Sequence, residues 1–200
     1  YEIGSGLVGS EMCIRDSDNG GNNEMYRDWF DHYMERGEDF DYIGLSYYPF
    51  WHGTLQMLED NMNDMAARYG KELIVAEVSM GYTMEDYKPY EKLKDSERKG
   101  YATKPELVAK IEYPMTVQGQ ADFTKDFLNR VAHVRDNKGL GFFWWEPAWI
   151  PVHGSGWATP ASLKYMNDPG PCGNEWANQA LFDYDGNVLP ALEVIRDFRK

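Results

Sequence analysis

Glu77 closes the run Leu73-Ile74-Val75-Ala76-Glu77, and Glu146 closes Gly141-Phe142-Phe143-Trp144-Trp145. Each carboxylate follows an apolar stretch that reads as a buried strand, the first bounded by Gly70-Lys71-Glu72 and Ser79-Met80-Gly81. The C-terminal end of a parallel strand is where α/β barrels hold their reactive groups. A glutamate placed there can attack the anomeric carbon of a sugar while a second carboxylic acid protonates the departing oxygen. The same residue can instead be a buried glutamate paired with a Lys or Arg on a neighbouring strand. Burial without a partner is costly, so both roles require one.

The surrounding aromatics sharpen this reading. Tyr47-Tyr48-Pro49-Phe50-Trp51-His52-Gly53 and Trp144-Trp145-Glu146-Pro147-Ala148-Trp149 carry more rings than a strand end needs. Ring faces stack on the apolar faces of sugars, and a tyrosine hydroxyl or His52 can bond sugar hydroxyls; the same residues can also cap a core. Strand alternation puts Ser46 and Tyr48 on one face and Tyr47 on the other, so Tyr48 is expected to face the site and to bond Glu77. Trp145 shares a face with Phe143, and Trp144 with Phe142. One tryptophan should therefore meet the helices and the other the barrel centre. Glu146, beside Trp145 and one strand from Glu77, reads as a supporting or sugar-binding group rather than the general acid.

The elements that must position these residues alternate along the chain. Met25, Trp29 and Tyr33, with Phe30 and Met34 beside them, mark a helix stripe, followed by the strand Tyr42–Tyr48. Leu55, Leu58, Met62, Met65 and Tyr69 form a second helix stripe closed by Gly70, and the Glu77 strand follows. Phe123, Phe127, Val131 and Val134 mark a third helix before the Glu146 strand, and Leu192, Ile195 and Phe198 a last one. Such alternation implies a parallel sheet with right-handed crossovers. No GxGxxG follows a strand, which argues against a nucleotide-binding sheet. The long segments Tyr82–Pro114 and Val152–Asn174 follow strand ends while the returns from helix to strand are short, which favours a barrel with its site on one face.

With 200 residues, 42% hydrophobic and 15% aromatic, the chain can bury a core. A net charge of −13 argues against nucleic-acid and anionic-membrane partners. No apolar run approaches a membrane span, and no secretory signal is visible. Cys13 and Cys172 permit one bridge at most, and the four histidines (His32, His52, His133, His153) show no zinc-ligand spacing. Residues 1–17 lack period and caps and resemble a translated sequencing adapter, so the domain is expected to occupy residues 18–200.

Three segments together, DYIGLSYYPFWHGTL (41–55), LIVAEVS (73–79) and GFFWWEPAWIPV (141–152), resemble glycoside hydrolase family 53, the arabinogalactan endo-β-1,4-galactanases. Thr116–Gln120 and Trp176–Asp183 extend the resemblance, which runs from about Asp18 to the C-terminus. It implies an α/β fold, the C-terminal part of a (β/α)₈ TIM barrel, with strands six to eight carrying Tyr48, Glu77 and Trp145 respectively. It further implies a retaining endo-glycosidase with Glu77 as nucleophile, β-galactan as the polysaccharide partner and an extracellular location; a monomer is expected. Tyr48, Trp51, His52, Trp145, Glu146 and Trp149 are the expected substrate-binding residues. Some bacterial members hold calcium in the loop after the seventh strand through an Asp/Gly-rich run. Met84–Tyr90 lacks that run, so no cofactor or metal is expected. The family's acid/base glutamate lies in an Asn-Glu pair after the fourth strand; Glu2 and Glu11 follow no asparagine, and the chain is expected to lack it. Three alternatives stay open: a barrel glycosidase for another β-linked polymer, a non-catalytic galactan-binding protein, and an inactive barrel fragment.

Overall fold

The computed structural model describes residues 19–37, 40–85, 87, 105–151, 159–167 and 176–199. Residues 1–17, Cys13, Cys172, His153 and most of the Met84–Tyr90 loop lie outside that set. Three parallel strands, β1 (Tyr42–Tyr47), β2 (Glu72–Val78) and β3 (Gly139–Trp144), form one sheet in chain order. Helix α1 (Asn23–Glu35) precedes β1; α2 (Leu55–Tyr69) joins β1 to β2; α3 (Pro105–Val108) and α4 (Val117–Ala132) lie between β2 and β3. After β3 come the short α5 (Pro160–Tyr165) and α6 (Pro190–Asp197). Each parallel pair is thus joined through a helix, the βαβ unit of a barrel. An isolated parallel bridge from Asn19 to Ser46 marks where one more strand would continue the arc.

Local signals explain the helices. Thr54 caps α2 by accepting from the Met57 N–H, and Gly70 ends it in the left-handed region at φ 65°, its N–H returning to Ala66 O. Leu55, Leu58, Met62 and Met65 are buried at the expected spacing. Thr116 caps α4 through the Gly119 N–H, and Phe123, Phe127 and Val131 face the core. Gly119 itself is dictated by contact, since a Cβ there would stand 1.8 Å from the Pro114 carbonyl oxygen.

The α1 stripe keeps Phe30 of the expected residues and adds Tyr26. Tyr26 and Phe30 are the buried residues, while Trp29 and Met34 are exposed. Phe30 packs on Phe40 and Tyr69, and the roll of the helix is fixed by Arg27 pairing with Asp64 and Arg68 with Asp31 across the α1–α2 seam. Met25, Trp29 and Tyr33 form the neighbouring stripe, and periodicity alone cannot choose between two adjacent stripes.

One irregularity in the sheet governs the site. Leu45 stands opposite Val75, but the next residue, Ser46, stands opposite Glu77. From the other side, Val75 pairs with Phe142 and Val78 with Trp144, again one residue too many in β2. Ala76 is therefore the extra residue of a β-bulge. Under strict alternation Leu73, Val75 and Glu77 would share the helix-packed face. The bulge turns Glu77 over to the face of Ser46 and Tyr48, while Val78 joins Tyr47 and Trp144 on the buried helix side. The face away from the helices is open at β3, where Phe143 is 63% exposed.

Candidate active site

Glu77 is 9% exposed, and the Tyr48 hydroxyl donates to its Oε2 at 2.7 Å. The two residues come from adjacent strand ends, Tyr48 just past β1 and Glu77 in the last turn of the pleat of β2. Tyr47 points the other way: its ring stacks over Phe123 of α4, and its hydroxyl donates to the Gly53 carbonyl at 2.8 Å. An aromatic wall surrounds the pair. Tyr48 lies edge-on to Trp51 at 5.6 Å between centroids and tilted against Trp176 at 5.7 Å, and Trp51 and Trp176 meet edge-to-face at 6.1 Å. Trp51 is 38% exposed, so a ring edge or face remains available at the rim.

His52 serves the turn that carries this wall. Its Nδ1 lies 3.1 Å from the Tyr48 nitrogen and 3.0 Å from Ser46 O, accepting the former's N–H or donating to the latter according to tautomer. Either bond ties the loop back onto β1, and Nε2 is the nitrogen not committed there. Burial pushes the imidazole pKa down to about 4, partly offset by the Ser46 carbonyl. In the unfolded chain the ring titrates near 6.5, so between these values the unfolded state binds the extra proton. Stability is expected to be complete above pH 6.5 and to fall by about 3 kcal/mol as pH drops to about 4. Thermal melts across that range should show this loss in the native chain and a flatter profile in His52→Asn.

On β3, Trp144 is the helix-side tryptophan: it is buried, and its Nε1 donates to Gln179 O at 2.9 Å, while Phe142 meets Phe127 of α4 edge-on. Trp145 takes the opposite face. Its backbone N–H extends the ladder to Val78 O at 2.8 Å, and its buried Nε1 has no partner among the described protein groups. Glu146 and Trp149 share the turn that follows, with Glu146 at φ 50° and the Trp149 N–H returning to Glu146 O at 3.3 Å. Both are half-buried. Sequence reasoning passed over Trp176 as a site residue: it sits in a loop with no period, and only its ring contacts with Tyr48 and Trp51 bring it to the wall.

It also passed over an Asn-Glu pair, Asn23–Glu24. Asn23 donates through Nδ2 to Asn61 Oδ1 at 3.0 Å and Asp64 Oδ2 at 2.8 Å, and Glu24 is exposed in the first turn of α1. That pair belongs to the α1–α2 seam rather than to the Glu77 site. Among the described residues, no group of three His, Cys, Asp or Glu side chains could hold a metal ion.

A parallel arc with helical crossovers and an acid at a strand C-terminus define part of a (β/α)₈ barrel. The sequence model of glycosyl hydrolase family 53 matches residues 14–195, and the chain belongs to that family. It is 39% identical to an endo-β-1,4-galactanase of Bacillus subtilis (strain 168) over 178 residues, covering 79% of this chain and 38% of that protein. An arabinogalactan endo-β-1,4-galactanase of Humicola insolens is 30% identical over 183 residues, covering 88% of this chain and 45% of the relative. The solved GH53 catalytic domain of Ignisphaera aggregans superposes with a TM-score of 0.73 at 33% identity, across 88% of this chain and 44% of that one. The chain thus spans less than half the length of these relatives. The fold is the part of a TIM barrel that the sequence reading anticipated.

Proposed function

We propose that Glu77 is the nucleophile of a retaining endo-glycosidase that cleaves β-1,4-galactan within the chain. The observation that carries this is the 2.7 Å hydrogen bond from Tyr48 Oη to Glu77 Oε2, at the C-terminal ends of parallel strands and inside an aromatic wall. Galactan as substrate is supported by family membership and by the names of the relatives. In the first step a Glu77 oxygen bonds the anomeric carbon while the glycosidic C–O bond breaks, its oxygen taking a proton from a second carboxylic acid. In the second, that carboxylate removes a proton from water, the water oxygen bonds the anomeric carbon, and the ester to Glu77 breaks. Among the described residues, the hydrogen bond that reaches Glu77 comes from the Tyr48 hydroxyl. Trp51, Trp145, Trp149 and Trp176 supply stacking faces. The unused Nε1 of Trp145, Nε2 of His52 and the Glu146 carboxylate supply polar contacts to sugar hydroxyls.

The substrate is a polymer too large to enter a cell, which supports an extracellular site of action, and a charge of −13 favours a monomer through self-repulsion. No described helix is long and apolar enough to cross a membrane. The test is product analysis on a complete barrel, made by joining residues 19–199 to the N-terminal remainder of the Bacillus subtilis relative. Internal cleavage of β-1,4-galactan, with β-mannan and β-glucan left intact, is the expected result; cleavage of either of the latter in preference would replace the substrate assignment. A second reading, galactan binding without hydrolysis by this chain alone, is favoured by the partner of Glu77 among the described residues being the Tyr48 hydroxyl rather than a second carboxylic acid.

A further inference from the structure

Gln120 lies fully buried on α4. Its Nε2 donates twice, to Met80 O at 2.8 Å and to Ala180 O at 2.9 Å. Met80 is three residues past Glu77, and Ala180 four past Trp176, so one carboxamide clamps the segments that carry the acid and the outer tryptophan. Adjacent bonds reinforce the seam: Ser79 Oγ donates to Gln179 Oε1 at 2.5 Å, the Tyr82 N–H to Asn178 O at 2.8 Å, and Asn178 Nδ2 to Thr83 O at 3.1 Å. Between Trp176 and Ala180 the chain makes a tight 3₁₀ turn (Ala177–Gln179) whose residues are all buried, with the Gln179 N–H on Trp176 O at 2.9 Å. A displacement at Ala180 therefore passes to Trp176 rather than being absorbed between them.

The side-chain type fits this task and few others. Only a carboxamide offers two N–H donors at one nitrogen without a charge. The Oε1 of Gln120 has no partner among the described residues, a cost that an apolar side chain would avoid. The two donations are then what the position demands.

We propose that Gln120 is a positioning residue for the Glu77 site, setting through the Met80 and Ala180 carbonyls where the Trp176 ring stands against Tyr48. The proposal deepens the glycosidase reading, on which its relevance to sugar binding rests. It is tested on the full chain, ¹⁵N-labelled, by following the indole N–H resonance of Trp176, assigned by its loss in Trp176→Phe. In Gln120→Met that resonance is expected to shift or broaden while that of Trp29, out on α1, stays in place. In Gln120→Glu it should follow pH between 5 and 8 where the native chain does not, because a protonated carboxyl donates to one carbonyl and an ionised one to neither. The second variant decides the matter if the first does not fold. An unmoved Trp176 signal in whichever variant folds, with only a lowered melting temperature, would overturn the proposal and leave Gln120 as scaffold. β-1,4-Galactotetraose should bind Gln120→Met about tenfold more weakly than the native chain. Absence of binding by the native chain would count against the galactanase reading, while the indole comparison still judges Gln120.

Discussion

Glu77→Gln is expected to lower galactan hydrolysis by roughly 10⁴–10⁶-fold in the completed barrel, the scale on which enzymes lose activity when a covalent nucleophile is removed. The substitution is chosen for what it preserves. An amide has nearly the volume of the carboxylate, and its Oε1 can still accept from Tyr48 Oη, so the 2.7 Å contact and the wall around it have no cause to rearrange. What it removes is the negative oxygen able to form an ester with the anomeric carbon. Galactotetraose affinity should change by less than about threefold, because stacking by Trp51 and Trp176 does not involve the lost charge. A variant that keeps a tenth or more of native turnover would rule Glu77 out as the nucleophile.

Tyr48→Phe removes one atom from the same contact, with a smaller but still large consequence. A hydrogen bond to an ionised group contributes about 1.5–3 kcal/mol, so kcat/KM should fall roughly 10- to 150-fold. The phenyl ring can keep its place against Phe50, Trp51, His52 and Trp176, which together hold the aromatic side of Tyr48. The loss should therefore appear in kcat, with KM little changed, since a bond that orients the attacking oxygen matters most as the new bond forms. A rise in KM at constant kcat would instead make Tyr48 a substrate contact, and the Glu77 bond incidental.

The elements were legible in the amino-acid sequence because their signals are local. Thr54 and Thr116 cap their helices, Gly70 terminates one, and the short apolar runs through Val75 and Phe142, bounded by glycines and turn residues, read as strands. The facing of Tyr48 was legible too. No extra residue separates it from Ser46, so the period of two held across the interval that mattered.

The orientation of Glu77 was decided elsewhere. Its alternation with Val75 points it into the helix layer, and only the bulge at Ala76, visible in pairing with both neighbouring strands, turns it toward Tyr48. A bulge is a property of paired strands and leaves no mark in the composition of one. The buried stripe of α1 likewise depends on ion pairs with α2, 37 residues away in sequence. Gln120 and Trp176 acquire their roles only when the turn after β2 and the turn before α6 are brought onto α4. The sequence by itself determined which segments become strands and helices and which side chains are chemically able to act, since backbone propensity and side-chain chemistry are carried residue by residue. The tertiary structure decided which of those side chains face one another, because register, helix roll and loop docking are set by contacts between segments distant in the chain.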